Sequence, residues 1–435
     1  MNSPLRRAPA LQYRDFRLLW VGQLISTIGS QMQIVAINWH VYTLLRGESY
    51  VLSLGDRSVS IGMDALALGA LGLVRVVPII LFALFGGLLA DLWDRRRVMI
   101  ATQSMAALVA TALAALTLSG NEGLSALYLL TALGAATKAF DTPARQSIVP
   151  NLVDAKDLTN AVSLNTLLFQ IGTIVGPAVA GLLIARFDIG VVYAIDALSF
   201  MAVLAALLAM RHRGTPKRAV ERQGWSALTE GFRFVRQSRI IWSTMLLDFI
   251  ATFFGSARLM LPIVAAELLG VGEVGYGLLS TAQPVGAVMA GLITALRKDI
   301  YHQGRILLIS VAIYGAATAF FGLTTIYALS YLFFALTGAA DTVSTVIRGT
   351  IRQVMTPDHL RGRMTGINMI FFMGGPQLGE LEAGIVAAFF GVPFAISSGG
   401  VAVVLLTAWI AWRYPRLRDY TSATEAALLA DAGNG

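Results

Sequence analysis

The chain has 435 residues, of which 56% are hydrophobic and only 13% charged, with a formal net charge of +8; its mean hydropathy is +0.69. Soluble domains carry roughly 25% charged residues, so an ordinary soluble protein is excluded and a chain made mostly of membrane helix is expected. Cysteine is absent, which excludes disulfides, thiolate chemistry and cysteine metal sites. The four histidines, His40, His212, His302 and His359, show no ligand spacing, so neither a metal site nor a cofactor is expected.

In chain order the apolar segments read as helices over 16–45, 65–90, 98–119, 124–144, 160–185 and 189–211, then 240–269, 273–297, 303–323, 327–351, 362–390 and 392–413. About twelve spans of roughly 20–25 residues use up the whole length. The N-terminus is Arg-rich and runs straight into a span, without a cleavable signal pattern. Arg and Lys are divided unevenly between alternate connections, 26 against 3, and the three are Arg46, Arg57 and Arg186. The bias puts both termini in the cytoplasm of a plasma-membrane protein and supports an even number of spans. It also accounts for the basic balance, so nucleic-acid binding is not expected.

The longest cytoplasmic connection, 212–238, separates a six-helix bundle at 1–211 from another at 239–413, and 414–435 reads as a cytoplasmic tail. The later part of this linker, Trp225 to Arg239, has the pattern of an amphipathic surface helix. The external segment 46–64 is long and polar, and both a lid and an insertion without a role fit it. The halves repeat weakly. Arg17-Leu18-Leu19-Trp20 parallels Arg239-Ile240-Ile241-Trp242, and Ala139-Phe140-Asp141 parallels Ala339-Ala340-Asp341.

Gly86 and then Gly87-Leu88-Leu89-Ala90-Asp91-Leu92-Trp93-Asp94-Arg95-Arg96-Arg97 lie between the second and third spans. This run resembles the signature loop of the major facilitator superfamily. Gly172 to Gly181, with Gly176-Pro177 inside it, resembles the antiporter signature of the same superfamily and departs from it at the closing glycine pair. Further runs resemble the enterobactin-exporter and macrolide-efflux branch. They are Gly22-Gln23-Leu24-Ile25-Ser26, Asp141-Thr142-Pro143-Ala144-Arg145-Gln146, Asp196-Ala197-Leu198-Ser199-Phe200, and Gly375-Pro376-Gln377-Leu378-Gly379-Glu380. The resemblance implies an all-α fold of twelve helices in two pseudo-symmetric bundles. It also implies export of a small amphipathic molecule (drug, macrolide or siderophore) by alternating access, with protons and the lipid bilayer as the other partners. No obligate protein partner is implied. A facilitator or an uptake carrier of the same fold is the alternative, with a non-transporting membrane receptor as the more distant one.

In that reading Gly87, Asp91, Arg95 and Arg96 form a conformational latch, the carboxylate accepting from a helix N-terminus or pairing with arginine. Arg95–Arg97 as simple topology anchors is the other reading. Gly172, Gly176, Pro177 and Gly181 make a close-packing face with a bend. Charges inside spans are the functional candidates, since each costs roughly 2.5–3.5 kcal/mol at a helix centre. The proton-coupling candidates are Glu380 first and Asp248 second, with Asp341 and Asp196 behind them. Glu380 and Glu382 point about 200° apart on a helix, so only one faces inward. For Asp196 a cap near the helix start fits as well as chemistry. Lys138, Asp141 and Arg145 read as gate or loop pairs. Gln31, Asn38, Trp39, Arg75, Phe253 and Arg258 are candidates for the substrate cavity wall, and a lipid-facing position is open for each.

Gly270-Val271-Gly272-Glu273-Val274-Gly275 matches G-x-G-x-x-G but no strand precedes it, so a dinucleotide site is not supported. G-x-x-x-x-G-K-[ST], H-E-x-x-H and G-x-S-x-G are absent. ATP drive and hydrolase chemistry are therefore not expected, and the chain does not read as an enzyme.

Overall fold

A computed structural model describes residues 8–54, 57–211, 232–297, 300–357, 360–421 and 423, with side chains described at all of these except 52–54, 57–59, 83–92, 361–363, 365–366 and 369–373. The long helices are α1 (Arg14–Leu45), α2 (Met63–Leu92), α3 (Arg95–Leu118), α4 (Leu124–Ile148), α5 (Leu158–Arg186) and α6 (Ile189–Ala209). After them come α7 (Arg239–Phe254), α8 (Gly272–Leu296), α9 (Gln303–Leu323), α10 (Tyr327–Met355), α11 (Arg361–Phe390) and α12 (Val392–Arg413). Among the described residues nine helices are long and apolar enough to cross a membrane. The other three, α1, α4 and α11, have 32, 25 and 30 residues. At a rise of about 1.5 Å per residue these too reach across a hydrocarbon core of roughly 30 Å.

Two departures from the helical reading stand out. The segment 46–64 contains a β-hairpin, β1 (Ser49–Leu54) antiparallel to β2 (Arg57–Gly62), with Tyr50 opposite Ile61 and Val51 opposite Ser60. Its alternating Val, Ser, Tyr and Ile suit a pleated ribbon, a period that a reading by helix-length apolar runs passes over. The seventh span is broken as well. α7 ends at Gly255, and Arg258–Met260 (3-10), Leu261–Ile263 (α) and Val264–Leu268 (π) follow it. Gly255 has open conformational choice and Pro262 lacks an amide hydrogen, so the regular hydrogen-bond ladder lapses there. Of the Trp225–Arg239 surface helix, residues 232–237 are helical; 225–231 lie outside the described residues.

The chain forms two compact units, the first of residues 1–44, 73–221 and 271–281, the second of 45–72, 222–270 and 282–435. The hairpin and the first ten residues of α2 belong to the second unit, and the start of α8 belongs to the first. Unit one is built around Phe16, Leu19, Met99, Ile148, Val203 and Leu207. Unit two is built around Leu247, Leu307, Val311, Ile351, Val403 and Ile410. Large apolar side chains also point outward along the helices. Leu108, Leu198, Leu208, Leu292 and Leu405 are each more than 60% exposed. So many exposed leucines would make a soluble protein aggregate; a bilayer accommodates them.

Candidate functional site

Unit one holds the antiporter-like segment of α5. Its glycines serve two neighbours. A Cβ at Gly172 would come 2.7 Å from Thr27 Cγ2, and one at Gly176 would come 2.6 Å from Gln31 Cβ, so both glycines press on α1. A Cβ at Gly181 would come 2.8 Å from Gly277 Cα on α8, and one at Gly277 would come 2.6 Å from the Pro177 carbonyl oxygen. Backbones this close are what small residues permit. Gln31 is thus covered by α5 and only 7% exposed.

On the next turns of α1, Asn38 Oδ1 accepts from Arg75 Nη2 of α2 at 2.7 Å. Trp39 stacks on Tyr276 of α8, with centroids 5.3 Å apart and planes at 22°. Tyr276 Oη in turn donates to the Val35 carbonyl at 3.3 Å. The expected wall residues Gln31, Asn38, Trp39 and Arg75 therefore belong to one neighbourhood of α1, α2, α5 and α8. Asp196 lies inside α6 and is 0% exposed. The helix cap is Asp188, whose Oδ1 accepts from Gly190 N at 2.7 Å; Asp196 is therefore not a cap. Its Oδ1 lies 3.2 Å from Ser199 Oγ, a Cβ at Gly29 would come 2.6 Å from that same oxygen, and Oδ2 has no hydrogen-bond partner among the described residues.

Of the latch residues, Gly87 and Asp91 fall where side chains lie outside the described residues. Arg95 and Arg96 are described, and both tie helices within unit one. Arg95 donates to the Ser147 carbonyl of α4 at 3.3 Å. Arg96 donates to the Leu207 and Leu208 carbonyls at 2.6 and 3.1 Å. These are the open carbonyls at the C-terminal end of α6, where a cation is favoured. Asp94 caps α3, its Oδ1 accepting from Arg97 N at 3.1 Å. Asp141 is held by Thr102 and Gln103 of α3 at 2.9 and 2.8 Å, with Arg145 at 3.9 Å. Asp141 thus ties α4 to α3 inside unit one.

Unit two carries a charge cluster between α7, α10 and α11. Asp248 Oδ1 is 3.0 Å from Arg348 Nη2, and Oδ2 is 3.5 Å from Arg352 Nη2. Arg348 also reaches Asp341 at 3.6 Å. Arg352 further donates to Thr244 Oγ1 at 3.1 Å, to the Thr244 carbonyl at 3.0 Å, and to Asn368 Oδ1 of α11. Asp248, Arg348 and Arg352 are each at most 5% exposed. Sequence reasoning misses both arginines: Arg352 lies just past the expected span 327–351, and Arg348 is not among the candidates. The signal was present, since 341, 348 and 352 are spaced seven and four apart and so share one helix face.

Glu380 is 7% exposed on α11. It faces Gly72 of α2, where a Cβ would come 3.2 Å from its own Cβ. Gln377, with its amide turned to satisfy both groups, donates to Glu380 Oε2 at 3.1 Å and to the Gly72 carbonyl at 3.3 Å. Gly384 meets Gly69 of α2, a Cβ there coming 2.9 Å from the Ala65 carbonyl oxygen. Gly375 and Gly379 pack on Thr252 and Phe253 of α7. Phe253 stacks on Phe249 at 5.3 Å and meets Phe254 edge-on at 4.9 Å. Arg258, at the break after α7, is exposed. Among the described residues no group of His, Asp and Glu could hold a metal ion.

A family model described as transmembrane secretion effector matches residues 6–430. The chain belongs to this family of the major facilitator superfamily. It is a membrane transporter and not an enzyme. Among similar relatives of this transmembrane secretion effector is the staphyloferrin A transporter of Staphylococcus aureus (strain NCTC 8325 / PS 47). That protein is 26% identical over 400 residues, which is 90% of this chain and 92% of that protein. Another is the enterobactin exporter EntS of Salmonella choleraesuis (strain SC-B67), 25% identical over 321 residues, 74% of this chain and 77% of that one. The fold is shared with a bacterial homologue of the lysosomal transporter Spinster, at TM-score 0.66 and 15% identity, covering 96% and 98% of the two chains. It is also shared with a bacterial homologue of the iron transporter ferroportin, at TM-score 0.68 and 14% identity, covering 94% and 99%.

Proposed function

We propose that this transporter exports a small amphipathic molecule of the siderophore, macrolide or drug class, driven by protons moving inward. The observation that carries this is the pair of buried intramembrane carboxylates, Glu380 and Asp196. Charged groups inside spans are costly and mark ion and substrate paths. Glu380 is held by Gln377, and Asp196 Oδ2 lacks a hydrogen-bond partner among the described residues. Asp248 differs, because Arg348 and Arg352 already compensate its charge. Its assigned role is to hold α7, α10 and α11 together, with Asp341 attached through Arg348.

The relatives named for staphyloferrin A and enterobactin support the siderophore class. Within unit one, Arg75 and Trp39 suit an anionic group and an apolar portion of a ligand; within unit two, Arg258, Phe253 and Phe254 offer the same pairing of chemistries. The charge bias of the connections supports twelve spans with both termini in the cytoplasm. In the cycle, Glu380 takes a proton from outside and substrate leaves. The protonated carrier turns inward, loses the proton to the cytoplasm and reloads.

The test is transport in proteoliposomes. Enterobactin, a macrolide and a fluorescent amphiphile are offered with and without an imposed pH gradient. Gradient-dependent movement of one of them, lost in Glu380→Gln or Asp196→Asn, is the expected result. Movement that ignores the gradient would make the protein a facilitator and end the antiport reading.

A further inference from the structure

At the end of unit one away from the basic connections, three elements bring titratable groups to a histidine that plays no part in the cycle above. His40 of α1 is 2% exposed. Its Nδ1 lies 3.2 Å from Tyr193 Oη on α6. Its Nε2 lies 3.6 Å from Glu122 Oε2, in the turn between α3 and α4, and the Glu122 side chain is 31% exposed. Asp188, the cap of α6, is the other anion acting on this ring. Tyr276 of α8 acts on Tyr193. Neither His40 Nε2 nor Glu122 Oε2 has a hydrogen-bond partner among the described residues.

Buried polar atoms are normally paired. Here two face each other across a gap too long for a hydrogen bond and short enough for an ion pair. A neutral ring carries a single hydrogen and can turn it toward only one of the two partners. A proton on the ring makes both nitrogens donors, Nδ1 toward Tyr193 and Nε2 toward the carboxylate. The neutral contact then becomes a charge-assisted one. Glu122 reaches solvent and His40 does not, so the carboxylate is the way in.

We propose that His40 and Glu122 form a proton-binding site at one end of unit one, filled through Glu122. The site is next to the residues that join α1 to its neighbours. Asn38 holds Arg75, and Trp39 stacks on Tyr276. Occupancy therefore bears on how firmly α1 is held between the α3–α4 turn and α8. That this end is external rests on the orientation proposed above; the site itself does not.

The experiment uses the full chain in nanodiscs with His212→Gln, His302→Gln and His359→Gln, which leaves His40 as the sole histidine. Its ring nitrogens are followed by NMR from about pH 5 to about pH 9. The expected result is a reversible titration whose midpoint falls by about one pH unit in Glu122→Gln and is kept in Glu122→Asp, which preserves the charge. A ring that stays in one protonation state across the range overturns the proposal, and so does a midpoint indifferent to Glu122→Gln. Should Glu122→Gln not fold, the parent titration and Glu122→Asp still decide. Repeating the titration in proteoliposomes with only one side's pH varied tests the orientation separately.

Discussion

Arg348 Nη2 lies 3.0 Å from Asp248 Oδ1, an ion pair between α10 and α7 whose side chains are 4% and 5% exposed. The contact is coulombic, since Oδ1 has no aligned donor. The aligned hydrogen bond is the one from Arg352 to Oδ2, at 3.5 Å. One carboxylate thus offsets two buried guanidiniums.

Asp248→Asn should therefore be a folding defect before it is a transport defect. It leaves Arg348 and Arg352 buried without their main anion, which costs on the order of 3–5 kcal/mol. Thermal unfolding of the detergent-purified protein measures this. A variant as stable as the parent would mean that the cluster holds nothing together.

Glu380→Gln should behave in the opposite way. The amide keeps an oxygen for the Gln377 nitrogen, now 3.1 Å from Oε2. Stability is expected to stay within about 1 kcal/mol of the parent, while efflux driven by a pH gradient falls to the leak rate. Comparing the two in one preparation separates coupling from folding.

At the α5–α8 seam, Gly277→Val places a branched side chain against the Pro177 carbonyl, where even a Cβ would come within 2.6 Å. Overpacking of this kind costs about 1–3 kcal/mol. The same change at Gly123, where nothing lies within 4 Å of an added Cβ, is the control. The midpoint of unfolding should drop for the first and hold for the second.

Arg96→Gln removes a cation from the open carbonyls of Leu207 and Leu208. A charge-assisted bond of this type is worth about 1.5–3 kcal/mol. Faster hydrogen exchange confined to the end of α6 is the expected signature; exchange spread evenly over the chain would contradict the assignment.

A hydrogen bond of Tyr13, the residue just ahead of α1, gives a pH dependence. Tyr13 Oη donates to Asp157 Oδ2 at 2.8 Å. Partial burial, with the neighbouring Asp154 and Asp157 carboxylates, pushes the Tyr13 phenol up to about 12. A raised value means that the bonded phenol stabilises the fold below its unfolded value of about 10. That contribution is lost as pH rises through about 12. Tyr13→Phe should lower stability at neutral pH and remove this component of alkaline unfolding. An unchanged alkaline profile would count against this role for the Tyr13–Asp157 bond.

Apart from the seventh, the spans were legible to within a few residues because membrane helices announce themselves by length and apolarity. The expectation of 303–323 is matched by α9, and that of 392–413 by α12. The hairpin at 49–62 was not, since its period of two is short and set among polar residues. The break after Phe254 was also missed, because 240–269 is apolar throughout and composition does not register a lapse in hydrogen bonding.

For the site, the sequence by itself determined which residues were anomalous. A carboxylate or an arginine in a hydrophobic span is conspicuous whatever surrounds it, because the solvent that would hydrate it is missing. Only the tertiary structure decided what each anomaly meets. It gave Asp248 two arginines, gave Asp196 a serine and a glycine, set Glu380 against Gly72, and brought His40 to Glu122 and Tyr193 from three separate elements. Insertion cost is a local property of one helix, written in its own residues. Whether a buried charge is paired depends on which face of another helix arrives beside it, and that is fixed by the packing of small residues such as Gly29, Gly72, Gly181 and Gly277.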